Sequence, residues 1–158
     1  MIYYNQRKFR QKYTMTSTVI YDGNLRTVCQ HLRSGTTIET DAPVDNNGKG
    51  ERFSPSDLVA TALGSCMLTI MGMRAVEMNI DLKGTKIEVE KIMKSDPRRI
   101  GGLNLTFHFP GSLELNERQQ KILQKAAETC PVAFSINPAI ELNVNFNWEN
   151  VRTAEIEK

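Results

Sequence analysis

The sequence has little excess charge of either sign. Its 158 residues carry a net charge of +2, and the lysines and arginines form no long stripe. Because proteins that bind nucleic-acid phosphates concentrate basic residues, this balance argues against such a partner. Long hydrophobic runs are also missing, since the run over residues 59–73 is interrupted and is shorter than the roughly 20 residues of a membrane-spanning helix. We therefore expect no transmembrane helix, no membrane partner and no nucleic-acid partner.

Cysteine is scarce, with three residues in the chain and no C-x-x-C pair. His31 and His108 do not lie at zinc-finger spacing from a cysteine, so the pattern predicts no metal site. The motifs of serine hydrolases, P-loops and dinucleotide sites are absent, and no bound organic cofactor is expected. Few cysteines and no apolar signal-peptide core indicate a reducing compartment, and we expect the protein to be cytoplasmic.

The start of the chain is basic. Four lysines and arginines between positions 7 and 12 precede the first acidic residue. We expect residues 1–15 to be a mobile N-terminal extension, as chain termini often are. A transit peptide, a nucleic-acid-binding arm or an extension upstream of a natural start at Met15 are the alternatives. One domain is expected over residues 16–150, followed by a C-terminal tail over 151–158.

The hydrophobic pattern predicts an α+β protein. Extended segments separated by the turn dipeptides Asp22-Gly23 and Ser34-Gly35 indicate an antiparallel meander over residues 17–40. A helix begins at Ser54-Pro55 and runs to about Met78, and its apolar residues fall on nearly every face, as in a long central buried helix. Strands over 85–93 and 103–109, a helix over 117–130 that Pro131 ends, and a strand over 139–148 complete the order β-β-β-α-β-β-α-β.

Cys66 and Cys130 each lie in a predicted helix. A buried free cysteine usually acts as a small hydrophobic residue, so composition alone favours an inert role for each. Their surroundings change this interpretation. The stretches FSPSDLVATALGSCM, around Cys66, and AAETCPVAFSI, around Cys130, together resemble the OsmC/Ohr family, the osmotically induced and organic-hydroperoxide-resistance proteins. The two cysteines are 64 positions apart, and the resemblance covers residues 16–148.

The resemblance implies an OsmC-like fold and an intertwined homodimer whose sites lie at the subunit interface. It also implies a cysteine-based peroxidase that reduces organic hydroperoxides in oxidative-stress defence. Cys66 would be the peroxidatic residue, which forms a sulfenic acid, and Cys130 would resolve it as a disulfide. The thiolate is the attacking group in such chemistry, and a neighbouring thiol prevents over-oxidation. A small-molecule or protein dithiol would act as reductant, with no metal and no bound organic cofactor.

One position departs from the family pattern. The family's peroxidases have a glutamate after the helix-starting proline, which holds an arginine beside the thiolate, and this chain has Ser56 there. Asp57 is interpreted as a helix-capping acid, so Glu51, in the preceding loop, is the candidate carboxylate. Arg26, on a predicted strand, is the first candidate for the arginine, because a guanidinium next to Cys66 would stabilise its thiolate.

Arg52 and Arg33 are the second and third candidates for this arginine. Cys29 matches neither motif and is interpreted as structural, because free cysteine is commonly buried. The serine at position 56 favours an alternative function, in which the OsmC fold serves a redox-sensing or apolar-ligand-binding protein with little peroxidase turnover.

Overall fold

The computed structural model describes residues 15–153. Apart from Met15, the expected mobile extension lies outside the described residues, as does the end of the expected C-terminal tail. The chain divides into two compact units, one up to Ser54 and one from Pro55. The single domain expected over residues 16–150 stays a prediction.

The unit up to Ser54 is an antiparallel sheet of three strands that lie side by side in chain order. Its first hairpin turns at Asn24 and Leu25, whose φ angles are 50° and 62°. Two consecutive left-handed residues are what a two-residue hairpin loop requires, and the turn directly follows the predicted Asp22-Gly23 signal. The predicted meander is confirmed. Its strands are β1 (Ser17–Gly23), β2 (Arg26–His31) and β3 (Thr37–Asp41), followed by a short 3-10 helix (Val44–Asn46).

The unit from Pro55 is a second three-stranded sheet with helices. Its central strand, β5 (Arg98–His108), is antiparallel to β4 (Lys86–Ser95) and parallel to β6 (Glu141–Asn147). The predicted order β-β-β-α-β-β-α-β is confirmed, with one additional short helix near the end. The elements are α1 (Pro55–Glu77), β4 (Lys86–Ser95), β5 (Arg98–His108), α2 (Glu117–Glu128), α3 (Pro131–Ser135) and β6 (Glu141–Asn147).

The core of this unit lies between α1 and the sheet. Leu63, Met67 and Met71 of α1 share one helix face and are buried together with the inward residues of β5. The aromatic rings of the sheet are stacked, with ring centroids 4.5 Å apart for Phe107 and Phe146. The alternation that predicted β5 is confirmed, because every second side chain of this strand faces the core.

The opposite face of α1 is uncovered in the single chain. Met73 and Val76 are 60% and 75% exposed. The expected burial on all sides is therefore not found, because one sheet covers only one side of a helix. By length and composition α1 is also apolar enough to cross a membrane. The expectation of no such helix rested only on the shorter apolar run over residues 59–73. The apolar length of α1 is weak evidence for a span, since core helices share the property and Leu63 is fully buried.

Candidate active site

Cys66 lies half-buried near the middle of α1. The helix approaches the sheet closely just before it, at Gly64. A Cβ added there would lie 3.1 Å from Val89 Cγ2 and 3.5 Å from Leu105 Cδ2. Because comfortable carbon contacts lie at about 3.5–4.0 Å, only a glycine permits this approach without adjustment. The packing at Gly64 thus sets the distance between the α1 backbone near Cys66 and the strands β4 and β5.

Cys130 lies between two helices, so its predicted place on the second long helix is wrong. α2 ends at Glu128, and Cys130 is the N-cap of α3 in an extended conformation, with φ −69° and ψ 144°. Pro131 is the physical reason: proline disfavours helical geometry in the residue before it, yet suits the first position of a new helix. The Cys130 Sγ accepts a hydrogen bond from the Ala133 backbone N–H at 3.3 Å.

The structure brings the Cys66 and Cys130 thiols together within this unit. Both are free, and Cys130 is completely buried. Burial raises the pKa of the Cys130 thiol, and the Cys66 side chain raises it further by hydrogen bonding and by charge, against the lowering effect of the Ala133 N–H. Cys130 is therefore a protonated thiol at neutral pH, next to a more accessible one.

An open groove of about 450 Å³ runs between α1 and α2. Neither thiol lines it, but two of its lining residues are their neighbours along the chain: Ile70 is one helical turn after Cys66, and Thr129 directly precedes Cys130. Its other lining residues are Met73, Arg74, Glu77, Ile122, Lys125 and Ala126. The groove has room for a small organic molecule with an apolar body.

Arg26 lies in the other unit, where two carboxylates hold it. Its Nε donates to Asp41 Oδ1 at 2.6 Å and its Nη2 donates to Asp41 Oδ2 at 2.8 Å. The same Nη2 donates to Glu51 Oε2 at 2.9 Å, so two predicted site residues are in contact. These hydrogen bonds, with the opposite charge, hold the pKa of the Asp41 carboxyl below its usual value and raise the pKa of Arg26.

Asp41 is the residue that sequence reasoning missed. It is the last residue of β3 and pairs directly with Arg26 of β2 in the strand register. In the structure Arg26 and Asp41 are equally far from the centre of the hairpin at Arg33-Ser34 and therefore opposite each other, whereas the predicted turn dipeptide Ser34-Gly35 centres the hairpin one residue later. Cross-strand partners of opposite charge are neighbours in space.

The Ser56 position also has a charged partner. Lys91 of β4 donates to the Ser56 Oγ at 2.8 Å and pairs with Asp57 Oδ1 at 2.7 Å. The Lys91 side chain is 15% exposed and the Asp57 side chain 38%, so the lysine is the better shielded of the two. Asp57 lies in the first turn of α1, as the capping interpretation expected, and in addition binds a strand of the adjacent sheet.

The remaining candidates are placed as follows. Arg52 pairs with Glu39 at 2.8 Å on the surface, and Arg33 is exposed after β2. Cys29 is half-buried in β2, with its Sγ 3.9 Å from the Thr27 hydroxyl. Over residues 15–153, no three His, Cys, Asp or Glu side chains are grouped so as to hold a metal ion. Arg26 and Glu51 belong to one unit and the two thiols to the other, so the expected approach of Arg26 to Cys66 stays a prediction.

Residues 48–145 match the sequence profile of the family described as OsmC-like protein. The chain belongs to the OsmC-like family. A solved structure of a candidate osmotic stress-induced and detoxification response protein of Psychrobacter arcticus 273-4 is 51% identical, with a TM-score of 0.81, and the match covers 85% of this chain and 96% of that one.

More distant OsmC-like structures share the fold. An organic hydroperoxide resistance protein OsmC of Legionella pneumophila is 19% identical, with a TM-score of 0.66 over 86% of this chain and 98% of that one. A candidate organic hydroperoxide resistance protein of Vibrio cholerae, with captopril in one active site, is 17% identical, with a TM-score of 0.63 over 89% of this chain and 97% of that one. No curated protein matches the chain.

Proposed function

We propose that this OsmC-like protein is a thiol-dependent peroxidase that reduces organic hydroperoxides. The observation that carries the proposal is the contact between two free thiols of unlike environment, the half-buried Cys66 and the buried, protonated Cys130. The names of the Legionella and Vibrio relatives, both organic hydroperoxide resistance proteins, point to the same substrate class.

The reaction runs in two steps on this chain. The Cys66 thiolate attacks the terminal oxygen of the hydroperoxide, the O–O bond breaks, and the alkoxide takes up a proton and leaves as an alcohol. Cys66 is now a sulfenic acid. The Cys130 sulfur then attacks the Cys66 sulfur, the Cys130 proton leaves with the hydroxyl group as water, and a disulfide forms. A small-molecule or protein dithiol supplies the two electrons that restore both thiols.

Arg26 and Glu51 are the proposed activating pair. A guanidinium stabilises a thiolate and orients a peroxide oxygen through its fixed donors. The carboxylates that hold Arg26 keep it charged and limit its rotamers. In this proposal Glu51, which is 55% exposed, is the partner that yields when the guanidinium turns to its ligand.

A homodimer and a cytoplasmic location complete the proposal. Large apolar side chains are uncovered in the single chain, with Val76 and Phe134 75% and 76% exposed. Met73 and Val76 lie about one helical turn apart on α1 and form a contiguous exposed apolar surface, which is typical of a contact surface. Sedimentation tests the assembly, because a homodimer has twice the 17.9 kDa mass of the chain and a particle of 17.9 kDa would contradict it.

A second candidate function is favoured by Ser56. A hydroxyl bound to Lys91 occupies the position that the family resemblance assigns to an acid. An OsmC-fold redox sensor or apolar-ligand carrier would keep the thiol pair and turn over little hydroperoxide.

The decisive experiment adds cumene hydroperoxide or hydrogen peroxide to the reduced protein, and then maps disulfides by mass. The peroxidase forms a Cys66–Cys130 disulfide faster with the organic substrate and consumes it repeatedly when a dithiol is supplied. Cys66→Ser abolishes consumption, Cys130→Ser stops at the sulfenic acid, and the matched control Cys29→Ser behaves as wild type. Undiminished consumption in Cys66→Ser refutes the proposal, and a single oxidation without turnover identifies the sensor.

A further inference from the structure

Asp41 is a buried carboxylate for which the proposed reaction has no role. It is 2% exposed, and both oxygens accept hydrogen bonds. Oδ1 accepts from Arg26 Nε, whereas Oδ2 accepts from Arg26 Nη2 and, at 3.1 Å, from the Glu51 backbone N–H. A buried charge is tolerated when its lone pairs are satisfied in this way. Every contact around the carboxylate is therefore arranged for an acceptor with two oxygens.

The two carboxylates on Arg26 differ in how firmly they hold it. Asp41 forms a two-bond fork with a side chain that is 3% exposed, and such a fork fixes the plane of a guanidinium. Glu51 makes one bond from a side chain that is 55% exposed, where water competes for the same donor. Asp41 therefore sets the direction of the guanidinium, while Glu51 is the exchangeable partner.

The backbone around Asp41 is rigid enough for this task. Asp41 pairs directly with Arg26 in the β2–β3 register, and its N–H donates to the Phe53 carbonyl at 3.1 Å. The next residue, Ala42, donates to the Leu25 carbonyl at 3.1 Å. Sheet pairing on one side and the returning loop on the other thus hold the Asp41 backbone from which the carboxylate reaches Arg26.

We propose that Asp41 is the positioning residue for Arg26. The inference rests on the proposed function, in which the Arg26 guanidinium stabilises the Cys66 thiolate. Asp41 touches neither the thiol nor the hydroperoxide, and it acts by holding the guanidinium through Nε and Nη2. Ser56 has a single uncharged oxygen, which accepts from Lys91, so it cannot form the two-bond fork that a carboxylate forms with a guanidinium.

The charge of Asp41 and its hold on Arg26 have opposite effects on the pKa of the Cys66 thiol, and this makes the proposal testable. Removing a negative charge near a thiol lowers the thiol pKa if all other groups stay in place. Releasing the arginine removes a stabilising cation and raises the thiol pKa. Asp41→Asn does both, because an amide offers one acceptor oxygen and turns its NH₂ group toward a donor. A rise in the Cys66 pKa then shows that the movement of Arg26 dominates.

The experiment measures the rate at which iodoacetamide alkylates Cys66 as a function of pH, with peptide mapping to separate the three cysteines. In Asp41→Asn the Cys66 pKa rises and alkylation at neutral pH slows about tenfold, the effect of one pKa unit on the thiolate fraction. In Arg26→Ala the effect is at least as large, and adding Asp41→Asn to it produces no further rise, because no guanidinium is left to release and only the opposing effect of the removed negative charge remains. Thr40→Val, which removes the hydroxyl next to Asp41 that contacts Thr27, is the matched control and keeps the wild-type profile.

Arg26→Ala is expected to raise the Cys66 pKa. If it does, and Asp41→Asn lowers that pKa or leaves it unchanged, the proposal is overturned. If Asp41→Asn does not fold, Arg26→Lys decides, because lysine keeps the charge and cannot form the fork. A raised pKa in Arg26→Lys supports positioning, and a wild-type profile overturns it. Alkylation needs no hydroperoxide, so a failure of the proposed peroxidase activity is seen separately, in the consumption assay.

Discussion

Gly48→Ala tests the loop after β3, which brings Glu51 back to Arg26. A Cβ at position 48 would lie 1.7 Å from the Ala42 carbonyl oxygen and 2.2 Å from the Ala42 carbonyl carbon. Both atoms belong to the backbone, so no side-chain rotation can relieve the overlap. The loop has to open by roughly 1.5–2 Å before ordinary contact distances return.

The cost follows from the hydrogen bonds that such an opening breaks. Gly48 donates to the Pro43 carbonyl at 3.0 Å, and Gly50 donates to the Ala42 carbonyl at 3.2 Å. At about 0.5–1.5 kcal/mol for each bond, their loss costs about 1–3 kcal/mol. Replacing glycine by alanine also restricts the unfolded chain, which offsets about 0.4–1 kcal/mol. We therefore expect the free energy of unfolding to fall by about 1–2 kcal/mol.

Urea unfolding followed by circular dichroism measures this change, and hydrogen exchange of the Gly50 and Glu51 amides locates it. Faster exchange at these two amides is expected, with the strand amides of β2 unaffected. Gly111→Ala is the matched control, because its Cβ would lie at an ordinary 3.6 Å from the Asn150 carbonyl oxygen, and we expect a change within about 0.5 kcal/mol. If Gly48→Ala unfolds at the wild-type urea concentration with unchanged exchange, the close approach to Ala42 does not constrain the loop.

Three further predictions concern the unit from Pro55. The folded state raises the pKa of the Cys130 thiol, so the protonated thiol contributes fully to stability below the ordinary cysteine pKa of about 8.5, and this contribution is lost as the pH rises above that value. Cys130→Ser should therefore make the free energy of unfolding depend less on pH in alkaline buffer. The same dependence on pH as in the wild type would contradict the raised pKa. Asn116→Ala removes the side-chain oxygen that accepts from the Gln119 backbone N–H, while the bond from the residue 116 N–H to Gln119 Oε1 can remain; it should lower stability by about 1 kcal/mol in urea unfolding, whereas an unchanged midpoint would show that this cap contributes nothing. Phe107→Ala should cost about 3–5 kcal/mol, because the buried ring stacks on Phe146, and a loss below about 1 kcal/mol would refute its place in the core.

The order of the elements was predictable because local patterns determine it. Alternation in β5 and the Ser54-Pro55 start of α1 depend on neighbours in the sequence, and each is found as expected. The place of Cys130 was not predicted, because Pro131 was interpreted only as the end of a helix. Proline also favours the first position of a helix, and only tertiary packing decides whether five further residues form one.

The site residues were also predictable only in part, as Cys66 with Cys130 and Arg26 with Asp41 show. The family resemblance identified Cys66 and Cys130, whereas residue spacing alone does not predict their contact. Asp41 was missed because its role depends on the exact register of β2 and β3, and a shift of one residue would turn it away from Arg26. Register was the least certain element of the predicted meander, since the turn positions were known only approximately.

The ring of Trp148 lies flat against Phe109, with centroids 3.8 Å apart and planes within 6° of parallel. Because it is the only tryptophan of the sequence, its fluorescence reports on the unit from Pro55 alone. The circular dichroism signal, in contrast, sums over the strands of both units. If the two signals change at the same urea concentration, the units unfold as one cooperative body; if the emission changes later, the sheet that carries Arg26 melts by itself.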